Sequence, residues 1–293
     1  MNMINNIREK IDSNSGYLFI APQMLLMLFF IIIPVINGFK LSAYSSYGRQ
    51  EIFVGWDNFK FLFEDPIFVR SILNTVIFVV AIVLLTIVFA LFVSTTVFDK
   101  SQKYISFIRT SYYLPVMVSM LVMSIIWKML LNPANGAVTW LLGQIGIENI
   151  NLLGNETMVM PVIIFVTFVG NVGQAILIYL ATMIGIPKDY FEAAELDGAT
   201  RWQKIRHIII PLVKSTTLYL VITNIIAVLK IFVVIQQLTG GGPNNASVTM
   251  MYYLYQNAFV YNRTGVAAAI GVLMFLVALI LSIPQMRTFL KED

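Results

Sequence analysis

Small groups of polar residues stand out in a chain that is otherwise oily, and their chemistry is that of binding rather than of bond-making. Thr167, Asn171 and Gln174 are spaced i, i+4 and i+7, which puts one hydroxyl and two amides on a single face of a helix. Gly170 and Gly173 flank them and permit close approach of another helix. Such a face either ties helices together across the oil or offers a solute the amide and hydroxyl partners that a sugar needs. Thr216, Thr223, Lys230 and Gln237 recur every seven residues, with Asn224 one position round. Lys230 lies about ten residues, or roughly 15 Å of helix, before Gly240. A lysine that deep is costly unless it meets a partner or a water-filled cavity, whereas Lys214, near the segment end, can snorkel.

The third group is the polar island Glu192-Ala193-Ala194-Glu195-Leu196-Asp197-Gly198-Ala199 between two long apolar segments. Asp189 and Glu192, after Pro187, have capping-box spacing and predict a helix from about Tyr190 that Gly198 ends. Thr200 and Gln203 repeat the spacing and predict a second, amphipathic helix closed by Pro211, with Trp202 and Ile205 on one side and Arg201, Lys204 and Arg206 on the other. With no cysteine in the chain, thiolate, disulfide and cysteine–metal chemistry is excluded, and the single histidine, His207, falls on the solvated face of that second helix. Gly240-Gly241-Gly242-Pro243 is glycine-rich but lacks the Gly-Lys-Ser/Thr ending of a phosphate loop.

Composition sets what must hold these groups. Of 293 residues, 58% are hydrophobic and 12% charged, about half the charge of a soluble domain. The mean hydropathy is +0.82. The length accommodates about six membrane helices of roughly twenty residues and no large independent domain. The spans are expected at Tyr17 to Phe39, Ile72 to Val97, Tyr104 to Leu131, Thr157 to Ile184, Leu212 to Leu238 and Thr264 to Met286, after a polar segment 1–16. The first is expected to be retained as an insertion-directing helix, because no small-residue cleavage site follows it.

Orientation follows from lysine and arginine. Eleven of them (Arg8, Lys10, Lys100, Lys103, Arg109, Lys188, Arg201, Lys204, Arg206, Arg287, Lys291) fall on the N-terminal side and five (Lys40, Arg49, Lys60, Arg70, Arg263) on the other. Both termini and the Glu192 loop are therefore expected in the cytoplasm. The net charge of +4 is spread as topology signals rather than as a nucleic-acid patch. Trp56 and Phe59 in the first outer loop and Trp127 and Lys128 at the end of the third span are expected as interface anchors, and the run Tyr252, Tyr253, Tyr255, Phe259 and Tyr261 as an interface belt ahead of a sugar-facing surface. Pro115 is expected inside a continuous third span, its freed carbonyl satisfied by neighbours.

Glu-Ala-Ala, then Asp-Gly-Ala, then an apolar pair before Pro211, resembles the EAA loop of binding-protein-dependent ABC importer permeases, with Ile210 where that family often has leucine. Val54-Gly55-Trp56-Asp57-Asn58-Phe59, Asp65-Pro66-Ile67-Phe68 and Leu238-Thr239-Gly240-Gly241-Gly242-Pro243 are similar to segments of the carbohydrate branch, the maltose-transporter type. In the segment from Asn132 to Leu142, Thr139 stands where that branch often has asparagine. The resemblance implies an all-α integral membrane protein with one permease domain, residues 17–290, whose loop 187–211 carries a coupling helix. It implies that Glu192, Ala193, Ala194, Asp197 and Gly198 dock an ATPase, that the helix of Thr167, Asn171 and Gln174 lines the solute path, and that Gly240, Gly241, Gly242 and Pro243 form an outer gating turn; Asn224 and Lys230 are expected on the path from the cost of a deep lysine and the position of its stripe. It further implies a second permease, two ATPase subunits that bind ATP and Mg, an extracellular or periplasmic solute-binding protein, a prokaryotic cell membrane, and no cofactor in this chain. A glycerol-phosphate or amino-acid importer is the alternative within the class. An ion-coupled transporter would need membrane carboxylates, which the six segments lack.

Overall fold

A computed structural model of the chain describes residues 17, 19–47, 50–147 and 150–292. The polar segment 1–16, with Arg8 and Lys10, and Arg49 lie outside the described residues. Helix α1 (Phe19–Ser42) leads to a short antiparallel hairpin, β1 (Tyr44–Tyr47) and β2 (Gln50–Phe53), in which Tyr44 faces Phe53. Then come α2 (Asp57–Glu64), α3 (Pro66–Val97), α4 (Gln102–Met117), α5 (Met120–Leu130), α6 (Ala137–Gln144) and α7 (Val159–Ile184). The loop helices α8 (Asp189–Leu196) and α9 (Arg201–Leu212) follow. The chain ends with α10 (Lys214–Leu229), α11 (Val233–Leu238), α12 (Met250–Tyr255) and α13 (Thr264–Glu292).

Four helices, α1, α3, α7 and α13, are long and apolar enough to cross a membrane, or up to six spans if the bent pairs α4/α5 and α9/α10 each count as one. The spine is α3 against α7, which runs through two buried clusters. Phe78 and Ile82 of α3 meet Val159, Ile163 and Val166 of α7 in one. Ala90, Val93 and Val97 meet Val172, Ile176 and Leu180 in the other. The opposite side of α3 exposes Val76, Val80, Leu84, Val88 and Phe92, every fourth residue, as a helix does when its solvent is lipid. Gly173 brings α7 against α4: a Cβ there would stand 2.0 Å from the Tyr112 carbonyl oxygen.

Two expected spans are broken. The third turns by 92° at Val118 and Ser119, whose extended backbone separates α4 from α5. Pro115 therefore sits in the last turn before a break rather than inside a continuous helix. The Ser119 hydroxyl accepts from the Val122 N–H at 3.3 Å and starts α5. In the fifth span α10 ends at Leu229 and α11 begins only at Val233, so the seven-residue stripe from Thr216 does not run on to Gln237. The break is braced from outside. The buried Thr249 hydroxyl donates to the Ile231 carbonyl at 3.1 Å, and the Phe232 ring meets Tyr255 at 4.6 Å. The first outer loop is ordered by Asn58, whose side-chain amide donates to the carbonyls of Ser42 at 2.8 Å and Tyr44 at 2.9 Å.

Candidate coupling site and solute path

The loop between α7 and α10 is built by local capping and then fastened to the bundle. Thr200 and Gln203 close a capping box: the Gln203 side chain accepts the Thr200 N–H at 2.7 Å, and the Thr200 hydroxyl accepts the Gln203 N–H at 3.4 Å. The box expected at Asp189 and Glu192 does not form. Lys188 is the N-cap and no side chain caps it, so α8 starts one residue early on its acidic first turn, which favours the helix dipole. Gly198 ends α8 with φ of +73°, the left-handed conformation expected of it. Pro211 lies one residue before the end of α9, where the chain bends by 64° into α10.

Arg201 makes the fastening. Its guanidinium Nη2 donates to the carbonyls of Thr95 at 3.1 Å and Thr96 at 3.0 Å and lies 3.3 Å from the Asp99 carboxylate. One side chain thus grips the last turn of α3. The Phe191 ring packs on Phe98 at 5.6 Å, and Lys204 pairs with Glu195 at 2.6 Å, tying α9 back to α8. Spacing read Arg201 and Lys204 only as the basic face of an amphipathic helix. One signal was present, since a cation at the first position of a helix opposes the dipole and so serves something else.

Glu192, Ala193, Asp197 and Gly198 are exposed and Ala194 is half-buried. Among them stand large apolar side chains in the open: Leu196 is 91% exposed, Trp202 65% and Tyr190 54%. Exposed apolar groups on a loop bolted to the bundle are the character of a docking face. Leu196 was not anticipated. His207 is exposed, with Nδ1 3.1 Å from the Gln203 carbonyl oxygen, as expected of the solvated face.

The residues expected along a solute path are not joined into one cluster. Thr167 is buried and its hydroxyl has no hydrogen-bond partner among the described residues, so it is a helix-contact residue rather than an open wall. Asn171, half-buried, donates to the Thr167 carbonyl at 2.8 Å, and Asn224 donates to the Leu220 carbonyl at 2.7 Å. Gln174 is exposed. Lys230 is exposed at the break after α10, where its charge complements a helix C-terminus. It is not a residue within a continuous helix.

At the other end, the turn Gly240-Gly241-Gly242-Pro243 is folded by its neighbours. Gly240 and Gly241 have φ of +60° and +85°, and Asn244 and Asn245 also adopt positive φ. The Ser247 hydroxyl donates to the Gly242 carbonyl at 2.8 Å, and Asn244 bonds Glu156. Two residues of α3 hold the turn from below. The Asn74 amide donates to the carbonyls of Asn245 at 3.2 Å and Val248 at 2.9 Å, and Thr75 Oγ1 accepts the Met250 N–H at 3.0 Å. The Asp65-Pro66 start of α3 is held similarly: Asp65 accepts the Ile67 N–H at 2.9 Å and the Tyr253 hydroxyl. The Tyr253 phenol is pushed up to about 12, chiefly by burial and then by that hydrogen bond to Asp65. Tyr252 and Tyr253 are therefore core residues rather than belt anchors, whereas Phe259 and Tyr261 are exposed. Trp127 packs edge-on to Phe165 and Lys128 donates to the Gln237 carbonyl at 2.8 Å, so both serve packing between helices.

A long helical pair, a bolted polar loop and a membrane-length apolar surface describe a helical membrane protein, and comparison with known proteins places it among transport permeases. The family model described as "binding-protein-dependent transport system inner membrane component" matches residues 102–287, more than half of the chain. The chain belongs to this family of inner-membrane transport components, which are permeases rather than enzymes. It is 32% identical to the probable ABC transporter permease protein YurN of Bacillus subtilis (strain 168), over 93% of this chain and 95% of the relative. It is 31% identical to the sn-glycerol-3-phosphate transport system permease protein UgpA of Agrobacterium fabrum, over 92% and 93% of the two chains. To the lactose transport system permease protein LacF of Rhizobium radiobacter the identity is 30%, over 96% and 95%. Its fold matches a chain of a bacterial alginate ABC transporter, solved with an alginate pentasaccharide-bound periplasmic protein, with a TM-score of 0.82, 25% identity and 93% of each chain covered.

Proposed function

We propose that this chain is one of two pore-forming permeases of an ATP-driven importer for a sugar or oligosaccharide. It crosses the membrane six times as a single permease domain, residues 17–290, with both termini in the cytoplasm. Residues 187–211 are the coupling loop, on which Glu192, Ala193, Ala194, Asp197 and Gly198 meet a separate ATPase that binds ATP and Mg. The observation that carries this reading is the exposed Leu196, Tyr190 and Trp202 on a loop that Arg201 bolts to α3. The excess of lysine and arginine on that side supports a cytoplasmic position. A solute-binding protein delivers the solute on the opposite side, beside the Gly240 to Pro243 turn.

Transport then runs by alternating access. Turning a 1:99 preference between inward and outward states into 99:1 takes about 5.5 kcal/mol of differential nucleotide binding, which a firm mechanical link must transmit. Gln174 and Lys230 offer exposed polar groups to the path. Asn171 and Asn224 each keep a side-chain carbonyl and a second N–H beyond the bond made to their own helix. Purification of the chain from its host in mild detergent tests the reading. A second permease and an ATPase copurify, and ATP hydrolysis rises with the binding protein and its sugar. Solute movement by the chain alone on an ion gradient would refute it.

A second reading, an anionic solute such as a glycerol-phosphate, is favoured by Lys230, which has no acidic partner among the described residues. Under it, K230M abolishes uptake of the anion and spares that of a neutral sugar. Under the first reading K230M leaves neutral sugar uptake within a few-fold, and an anion is never taken up.

A further inference from the structure

We propose that the cavity in the crook of the coupling loop holds the headgroup of an anionic phospholipid of the inner leaflet. The cavity measures about 560 Å³ and lies where the ends of α3 and α7 and the start of α4 meet α8 and α9. Four cations line it, Lys100, Lys188, Arg201 and Lys204, against two carboxylates, Asp99 and Glu195. Both carboxylates are already committed, Asp99 to Arg201 and Glu195 to Lys204. Lys100 and Lys188 have no carboxylate within salt-bridge distance among the described residues. The wall therefore carries two uncompensated positive charges and invites an anion.

The floor decides which anion. Ile105, Met183 and Ile209 line the cavity and are buried, and Ile184, 45% exposed, carries its rim toward the apolar outer surface. Tyr104 and Phe107, on the same helix as Ile105, are exposed. A headgroup phosphate seated between Lys100 and Lys188 sends its acyl chains over this apolar rim, whereas a free phosphate gains nothing from it. The cavity sits at the ends of span-forming helices, which is headgroup depth once the chain is oriented as proposed above, and the inference rests on that orientation. Lys100 follows α3 and Lys188 precedes α8, so a bound lipid bridges α3 to the first helix of the loop, as Arg201 joins α3 to the second. Bilayer charge thereby becomes a term in how firmly the loop follows the bundle.

The test uses the complete complex in nanodiscs of phosphatidylcholine alone and of phosphatidylcholine mixed with phosphatidylglycerol, with retained phosphatidylglycerol counted by native mass spectrometry. A lysine beside an anionic lipid is worth about fivefold in affinity, so K100Q/K188Q weakens retention by about twenty-five-fold while K100R/K188R keeps it. Transport-coupled ATP hydrolysis responds to phosphatidylglycerol in the parent complex and loses that response in K100Q/K188Q. Unchanged retention in K100Q/K188Q overturns the proposal. So does inorganic phosphate that reproduces the response in phosphatidylcholine alone. Cytoplasmic exposure is scored separately by labelling K188C in sealed vesicles. Labelling from the outside sinks the orientation reading, whereas labelling from the inside with retention unchanged sinks the lipid site alone.

Discussion

Replacing Arg201 by alanine severs the bolt between the coupling loop and α3 while touching nothing that would dock an ATPase. The side chain makes two hydrogen bonds to carbonyls, at 3.1 and 3.0 Å, and one ion pair at 3.3 Å whose partners are 48% and 41% exposed. Each charge-assisted bond to a carbonyl is worth about 1 kcal/mol after screening at this exposure, and the exposed ion pair a few tenths more. Together they contribute about 2 kcal/mol, which is about 30-fold in an equilibrium constant. If the bolt transmits the nucleotide's effect, an ATP-bound preference of 99:1 for the outward state falls to about 3:1 in R201A. The assay is the ratio of sugar transported to ATP hydrolysed in proteoliposomes, with the outward population read from spin-label distances across the outer turn. R201A keeps ATP hydrolysis and loses several-fold in transport per ATP. R201K recovers only part, because a point charge cannot span two carbonyls and a carboxylate as a planar guanidinium does. Wild-type transport per ATP in R201A refutes the reasoning.

Three further perturbations follow from the same contacts. A193E, at an exposed position, leaves thermal unfolding of the detergent-solubilised chain unchanged and abolishes ATPase copurification; retained copurification would place docking elsewhere on the loop. G173L drives a side chain into the Tyr112 carbonyl, where even a Cβ would stand at 2.0 Å, and costs about 3 kcal/mol, seen as a lower melting temperature or loss of folded yield. The Tyr253 phenol, raised to about 12, keeps its proton longer in the folded chain, so its contribution is complete below pH 10 and is lost as pH rises from there through about 12. Ultraviolet titration of the wild type against Y253F reads that phenol directly, and D65N, which removes the negative charge, lowers the midpoint while burial still holds it above 10.

Hydropathy and punctuation made the long elements legible: α7 and the two loop helices lie within two residues of where apolar runs and caps put them, because those signals are local, while α3 starts and α13 ends six residues beyond their apolar runs. The breaks were not legible. Lys230 to Phe232 reads as continuous helix, and only the Thr249 hydroxyl on the Ile231 carbonyl and the ring of Tyr255 on Phe232 explain why it opens. Val118 and Ser119 follow Pro115, a marker that was visible, but a membrane helix tolerates proline often enough that it decides nothing alone. The hairpin Tyr44 to Phe53 alternates too weakly to stand out from a polar loop. In the candidate site, the ends of the two loop helices could be read from Gly198, Thr200 and Gln203. The bolt could not, since Arg201 and its carbonyl partners at Thr95 and Thr96 are over one hundred residues apart.

Everything proposed for function depends on the Glu192 to Ala199 loop being held by a motor on the cytoplasmic side. The direct measurement is disulfide crosslinking of L196C in the assembled complex to single cysteines placed over the surface of the copurified ATPase. A crosslink that forms efficiently and responds to ATP is the expected result, given a side chain that is 91% exposed and of no use to this chain's own core. Labelling of L196C by an impermeant reagent from outside intact cells, with no crosslink to any nucleotide-hydrolysing subunit, contradicts it.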